Sequence, residues 1–203
     1  MSNDRPVGPR ERGSPAENFA LSGHRWVSQY RGANRLQDLR QPFRGYAEAF
    51  IGALRAAGAS VKINATYRHP KRAYLMHWCW KIAKNRVSPD DAPAMEGVSI
   101  SWKHYDKDGK YLHDQSIEAA RAMVRGFQME RLGVAPSLNS RHTLGFGIDM
   151  AISWNGELTL LDAYGHAVRI PSLPRTGMNR KLHRVGASYG VVKYNRSGRD
   201  DPH

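Results

Sequence analysis

Cysteine is nearly absent from this chain. Cys79 is the only one, which excludes an intrachain disulfide. It lies within the apolar run YLMHWCWKIA and reads as a packed core residue. Long hydrophobic runs are also missing. No stretch approaches the roughly 18 apolar residues of a membrane span. The opening MSNDRPVGPRERGSPAEN has no apolar h-region, so no secretory signal peptide is expected. The chain is read as made in the cytoplasm, with any outside target reached after release or by dedicated export. Acidic residues are scarce beside basic ones, 18 against 31, giving a net charge of +13. Such a balance favours a polyanionic partner: nucleic acid, an anionic wall polymer or a membrane surface. The basic residues are scattered rather than gathered in one arm. Zinc-finger spacing, an aromatic RNA-binding signature and a basic recognition helix are all lacking, so no specific nucleic-acid partner is expected.

What is present is ordinary for a globular protein. About 40% of the 203 residues are apolar and 24% are charged. This length fits one domain with a tail. Residues 1–18 hold Pro, Gly, Ser and charges and are read as a disordered tail, leaving 19–203 as the domain. The spacing predicts a helix over 43–57, with Tyr46, Phe50, Ala53, Leu54 and Ala57 on one face and Gly58 as its stop. Alternation of Val61, Ile63 and Ala65 predicts a strand. Pro70 opens a second helix, 70–84, apolar on several sides and therefore central. A polar, turn-rich stretch over 85–114 precedes a third helix, about 115–131, with Ile117, Ala120, Met123, Val124 and Phe127 inward. Strands are expected at Phe146 to Trp154, Leu158 to Leu161, His166 to Ile170 and Gly190 to Tyr194, with an Asn155-Gly156 hairpin turn. A short helix near 178–186 precedes the last strand. Helices first and strands later predict an α+β fold: one domain with N-terminal helices packed on a small antiparallel sheet. No internal repeat is seen.

Two stretches carry candidate chemistry. The first is Ser140-Arg141-His142-Thr143-Leu144-Gly145-Phe146-Gly147-Ile148-Asp149, and the second is Asp200-Asp201-Pro202-His203. His142, Asp149 and His203 offer two imidazoles and one carboxylate, a sound ligand set for a catalytic zinc. Seven residues of straight strand would hold His142 and Asp149 about 23 Å apart. The chain must therefore fold back between them, and Gly145 and Gly147 would permit it. The alternative is a strand bulge beside an unrelated surface Asp.

The pattern S-R-H-T-L-G-F-G-I-D resembles the S-x-H-x-x-G-x-A-x-D signature of the zinc D-Ala-D-Ala carboxypeptidase and L-alanyl-D-glutamate endopeptidase family, peptidoglycan metallopeptidases of the hedgehog/DD-peptidase fold. The resemblance covers roughly residues 40–203 and includes LHRVGASYGVVKY ahead of the last motif. It implies that His142, Asp149 and His203 bind Zn2+ and that Asp200, three residues before the last ligand, is the general base. Asp201 is the competing base. Thr66-Tyr67-Arg68-His69-Pro70 occupies the place of the family's Tyr-Arg-Ser motif. This implies that Arg68 binds substrate and steadies an oxyanion; the alternative is a surface Arg. Ser140 binds substrate, orients His142 or caps a turn. The expected activity is hydrolysis of peptide bonds in bacterial peptidoglycan, endolysin-like or as a D,D-carboxypeptidase, by a monomer acting on the cell wall. The alternatives are a non-catalytic zinc-containing binding module of the same fold and a basic nucleic-acid-binding protein. The sequence departs from the family pattern at Gly147, where Ala is usual and tolerance is expected, and at His69, where Ser is usual. The downstream Gln is not evident, and family members continue past the position of His203.

Other features carry bland readings. Asp106-Lys107-Asp108-Gly109 lacks the later acids of a calcium loop and reads as a hairpin turn. His69, His77, His104, His113, His166 and His183 show no paired ligand spacing. Trp102 and Trp154, near turns, are the two tryptophans placed to line a groove. Basic residues in the Lys71–Lys84 helix read as a solvated face.

Overall fold

The strand expected at Val61–Ala65 and the chain following Gly147 find each other, and this pairing frames the site. The fold is seen in a computed structural model that describes residues 19–194. The expected N-terminal tail, Asp200, Asp201 and His203 lie outside the described residues. The chain is mixed α/β, with four α-helices and three two-stranded sheets among the described residues. No helix among them is long and apolar enough to cross a membrane.

The N-terminal strand β1 (Ala20–Leu21) runs parallel to β3 (Ile100–Ser101). Helix α1 (Phe43–Ala56) buries Ala47, Phe50, Ile51 and Leu54. This face is rotated from the expected one, for Tyr46 is 45% exposed and its ring lies over Gly190. Gly58, at φ +84°, ends the helix as expected, because only glycine takes that conformation without strain. Strand β2 (Ser60–Ala65) pairs antiparallel with β4 (Asp149–Ser153) from Ser60↔Ser153 to Ala65↔Asp149. The register slips between Ile63 and Ala65, a bulge beside Asp149 that re-aims the strand end.

Helix α2 (Pro70–Ala83) buries residues on several sides, including Tyr74, Leu75, Cys79, Trp80 and Ile82, as a central helix should. Helix α3 (His113–Gly126) packs against it through Ile117, Ala120, Met123 and Val124. It stops earlier than its apolar pattern suggested, because Gln128 turns left-handed at φ 58°. The hairpin of β5 (Leu158–Leu161) and β6 (Ala167–Ile170) follows the Asn155-Gly156 turn. Helix α4 (Arg180–Ser188) begins at Asn179, whose Oδ1 accepts from the Lys181 and Leu182 amides at 2.9 and 3.3 Å. The same buried side chain donates through Nδ2 to the Ser172 and Pro174 carbonyls, tying the helix start to the chain after β6.

Two apolar clusters result. One joins α2, α3, Trp26, Val98, Ile100 and Trp102; the other joins α1, β4, β5, β6 and α4 through Phe50, Leu54, Ile152, Trp154, Leu158, Ile170 and Leu182. Several expectations are corrected here. No strand forms at Gly190–Tyr194; the Val191 amide instead donates to the Gly186 carbonyl, closing the end of α4. Trp102 and Trp154 line no groove, since both are buried in the clusters. The strand expected from Phe146 starts only at Asp149, because the preceding residues form tight turns. The antiparallel sheet is two separate ribbons rather than one, and β1–β3 is parallel.

Candidate metal site at the end of the β2–β4 ribbon

The segment that leaves β2 is held on both sides. The Thr66 amide donates to the Ala33 carbonyl at 2.8 Å, and the Arg68 amide donates to the His142 carbonyl at 3.0 Å. Between these bonds the Thr66 carbonyl points at His142, and His142 Nδ1 lies 2.6 Å from it. A carbonyl only accepts, so Nδ1 carries the proton and Nε2 is the nitrogen available to a ligand. That Nε2 lies 3.2 Å from Asp149 Oδ1. Both side chains are mostly buried, at 14% and 16% exposed.

The fold-back between them follows from the two glycines. The Leu144 amide donates to the Ser140 carbonyl, the Gly145 amide to that of His142 and the Phe146 amide to that of Arg141, so residues 140–146 close into successive turns. Gly145 sits at φ +78° and its carbonyl accepts from the Arg40 amide. At Gly147 a Cβ would come within 2.9 Å of the His142 backbone nitrogen and 3.1 Å of its ring. An alanine, the residue of the family pattern, has no room there, which corrects the expected tolerance: in this chain the close approach demands glycine.

Arg68 stands beside this pair. Burial pulls its guanidinium below the ordinary arginine value, while the Asp149 charge opposes the shift and keeps the cation favoured. Ser140 is placed in the turn itself. Its Oγ accepts from the Thr143 amide and its own amide donates to Thr143 Oγ1, the geometry of a cap. The Asp149 and His142 pair, Arg68 and Ser140 are thus brought to one end of the ribbon, while Asp200 and His203 fall outside the described residues.

The donor set fits zinc. Two ligand atoms on one tetrahedral zinc at about 2.0–2.1 Å are separated by about 3.3 Å, and Nε2 and Oδ1 stand at 3.2 Å. The Thr66 carbonyl is the outer-shell partner that a ligating histidine needs. Among the described residues no three His, Cys, Asp or Glu side chains gather into one metal group.

Residues near the site that the sequence left without a role also have work. His69 caps α2, its Nδ1 accepting from the Lys71 amide at 3.1 Å while its ring stacks on Tyr30 at 5.4 Å. A His directly before Pro70 at the helix start was the available signal. Arg72 is not part of a solvated face; its guanidinium donates to the Val27 and Tyr30 carbonyls and lies 4.8 Å from the Phe127 ring centre. The remaining core-facing histidines are satisfied: His77 by the Pro136 carbonyl, His104 by Ser22 and His183 by the Gly177 carbonyl. Asp106 closes a hairpin turn, accepting from the Asp108 and Lys110 amides. Cys79 is buried and its thiol is pushed up by burial, so it is inert core.

No family model matches this chain, and neither a characterised protein nor a solved structure is similar to it.

Proposed function

We propose that this protein is a zinc-dependent peptidase of bacterial peptidoglycan, an α+β domain whose β2–β4 ribbon carries the metal. One observation carries the reading: His142 Nε2, kept available by the bond from Nδ1 to the Thr66 carbonyl, meets Asp149 at 3.2 Å beside the partly buried Arg68. The resemblance of S-R-H-T-L-G-F-G-I-D and D-D-P-H to the peptidoglycan metallopeptidases supplies the substrate class and the remaining residues.

In this reading His142, Asp149 and His203 hold the metal. Zinc, when bound, would supply Lewis acidity and lower the pKa of a water toward about 7. Arg68 offers its guanidinium to the oxygen where negative charge develops on the scissile carbonyl. Its partial burial beside Asp149 strengthens that attraction. Asp200 accepts the proton of the attacking water and returns it to the leaving amine. Ser140 keeps the His142 turn in shape through Thr143 and acts on the metal ligand indirectly.

The test pairs metal analysis with digestion. The protein and its His142→Ala, Asp149→Ala and Asp200→Ala variants are incubated with peptidoglycan, and released termini are identified by mass spectrometry. One zinc per chain is expected, lost in His142→Ala and Asp149→Ala. Asp200→Ala keeps the zinc while cleavage falls by about 10²–10⁴-fold. A protein that takes up no zinc ends this reading; one that holds zinc and releases no termini is a binding module instead.

A further inference from the structure

The cations of this chain are not evenly answered by acids. From Ala163 to Arg199 there is no Asp or Glu, while the same stretch carries eight Lys and Arg. Within its described part Arg169 is paired with Glu157 across the β5–β6 hairpin. Arg175, Arg180, Lys181 and Arg184 are all exposed and meet no carboxylate among the described residues. Arg180 and Lys181 occupy the first turn of α4, which contains no acidic residue. A cation there opposes the helix dipole and costs folding stability. Two exposed charges held against that cost, with Arg175 before them and Arg184 one turn further on, point outward, to a partner.

Their position ties them to the metal site. The loop before α4 is laid on the far end of β4: Thr176 bridges Ser153, the Trp154 amide donates to the Arg175 carbonyl, and the Gly177 amide donates to the Ile152 carbonyl. Asp149 stands at the other end of the same strand, four residues or about 14 Å away. Helix α4 itself packs against the inner face of the ribbon, where Leu182 and Val185 join Ile152, and turns Arg180, Lys181 and Arg184 to the outside.

We propose that the exposed side of α4 and the loop before it form a docking surface for a phosphodiester polyanion, a poly(glycerol phosphate) chain of the kind attached to bacterial walls. The polymer is held by Arg175, Arg180, Lys181 and Arg184. The choice of a wall polymer rests on the peptidase reading; the cationic surface does not. Charge complementarity identifies the partner. The four cations between Arg175 and Arg184 are interleaved with no exposed aromatic ring on which a base would stack, so a flexible polyanion without bases fits better than a nucleic acid. Anchoring at Arg175 would hold the wall about one strand length from Asp149.

The experiment is titration of the full chain with synthetic poly(glycerol phosphate) at 50 and 200 mM salt. A DNA oligonucleotide of equal phosphate number and an uncharged chitooligosaccharide run as parallel ligands. For four contacts, affinity for the polymer should fall about 50-fold between the two salts. In the Arg175→Glu, Arg180→Glu, Lys181→Glu, Arg184→Glu variant it should fall at least tenfold at 50 mM, with the salt slope reduced by about 3. These reversals place acids at the start of α4 and favour its dipole, so folding is retained; the matching four-glutamine variant repeats the measurement. Equal binding by wild type and both variants overturns the proposal. So does DNA binding more than tenfold tighter than the polymer, or chitooligosaccharide binding equally well. The titration needs no hydrolysis. Wall cleavage without polymer binding removes this inference alone, and polymer binding without zinc or cleavage removes the peptidase reading and leaves the docking surface standing.

Discussion

His142 depends on a division of labour between its two ring nitrogens, and residues that touch neither nitrogen enforce it. Nδ1 is spoken for by the Thr66 carbonyl at 2.6 Å, which leaves Nε2 facing Asp149. The backbone that carries the ring is pressed against Gly147, where an added Cβ would meet the His142 nitrogen at 2.9 Å and the Arg141 carbonyl carbon at 3.1 Å. Both neighbours are backbone and cannot swing aside. Gly147→Ala should therefore shift the 140–147 turns, break the Nδ1–Thr66 bond and cost about 1–3 kcal/mol. Zinc affinity and chemical-denaturation midpoint should fall together. A variant with wild-type zinc affinity would show that the turn relaxes without moving the ligand. Gly156→Ala is a useful comparison: its added Cβ meets nothing within 4 Å although φ is +65°, so any loss there reports backbone strain alone.

The start of α2 is the element on which Arg68 is mounted, and its cap is a histidine rather than the more common Ser, Thr, Asp or Asn. His69 Nδ1 accepts the Lys71 amide, and Pro70 at the first helical position has no amide to satisfy. His69→Ala should destabilise the fold by about 1 kcal/mol, and His69→Asn should recover most of it. The measurement is the urea midpoint of the two variants; equal losses would mean that stacking on Tyr30, not capping, holds the residue. At this scale the limits of sequence are plain. The helices at 43–56 and 70–83 were legible because apolar spacing and the Gly58 and Pro70 punctuation agree. The end of α3 was not, because Phe127 and Met129 continue an apolar pattern past the point where Gln128 turns left-handed; both are buried, but outside the helix. Val191 and Val192 suggested a strand, yet no strand among the described residues pairs with them. The His142–Asp149 meeting was legible from Gly145 and Gly147. The Thr66 carbonyl and the His69 cap were not, since each depends on chain segments brought together only by tertiary folding.

On the scale of the whole molecule, the excess of 31 basic over 18 acidic residues sets two electrostatic effects against each other. Exposed ion pairs such as Arg35–Asp38, Lys103–Asp90, Arg125–Glu118 and Arg169–Glu157 are weakened by salt, but each contributes only about 0–1 kcal/mol. The net charge of +13 adds repulsion among many cations, acting over the roughly 30 Å Debye length of 10 mM salt and screened within about 8 Å at 150 mM. Repulsion should win, because it sums over every unpaired cation while the pairs are few and local. Raising sodium chloride from 10 to 150 mM should therefore raise the Tm, by about 2–4 °C for each kcal/mol of repulsion removed. Phosphate at equal ionic strength should raise it further, since a multivalent anion binds where four cations lie without acids between them, and anything that binds only the folded state stabilises it. That additional rise should vanish when Arg175, Arg180, Lys181 and Arg184 are changed to glutamine, while the chloride effect persists in reduced form. A Tm that falls with chloride would mean that the ion pairs outweigh the repulsion. A phosphate increment unchanged in the four-glutamine protein would place the anion-binding charge elsewhere on the surface.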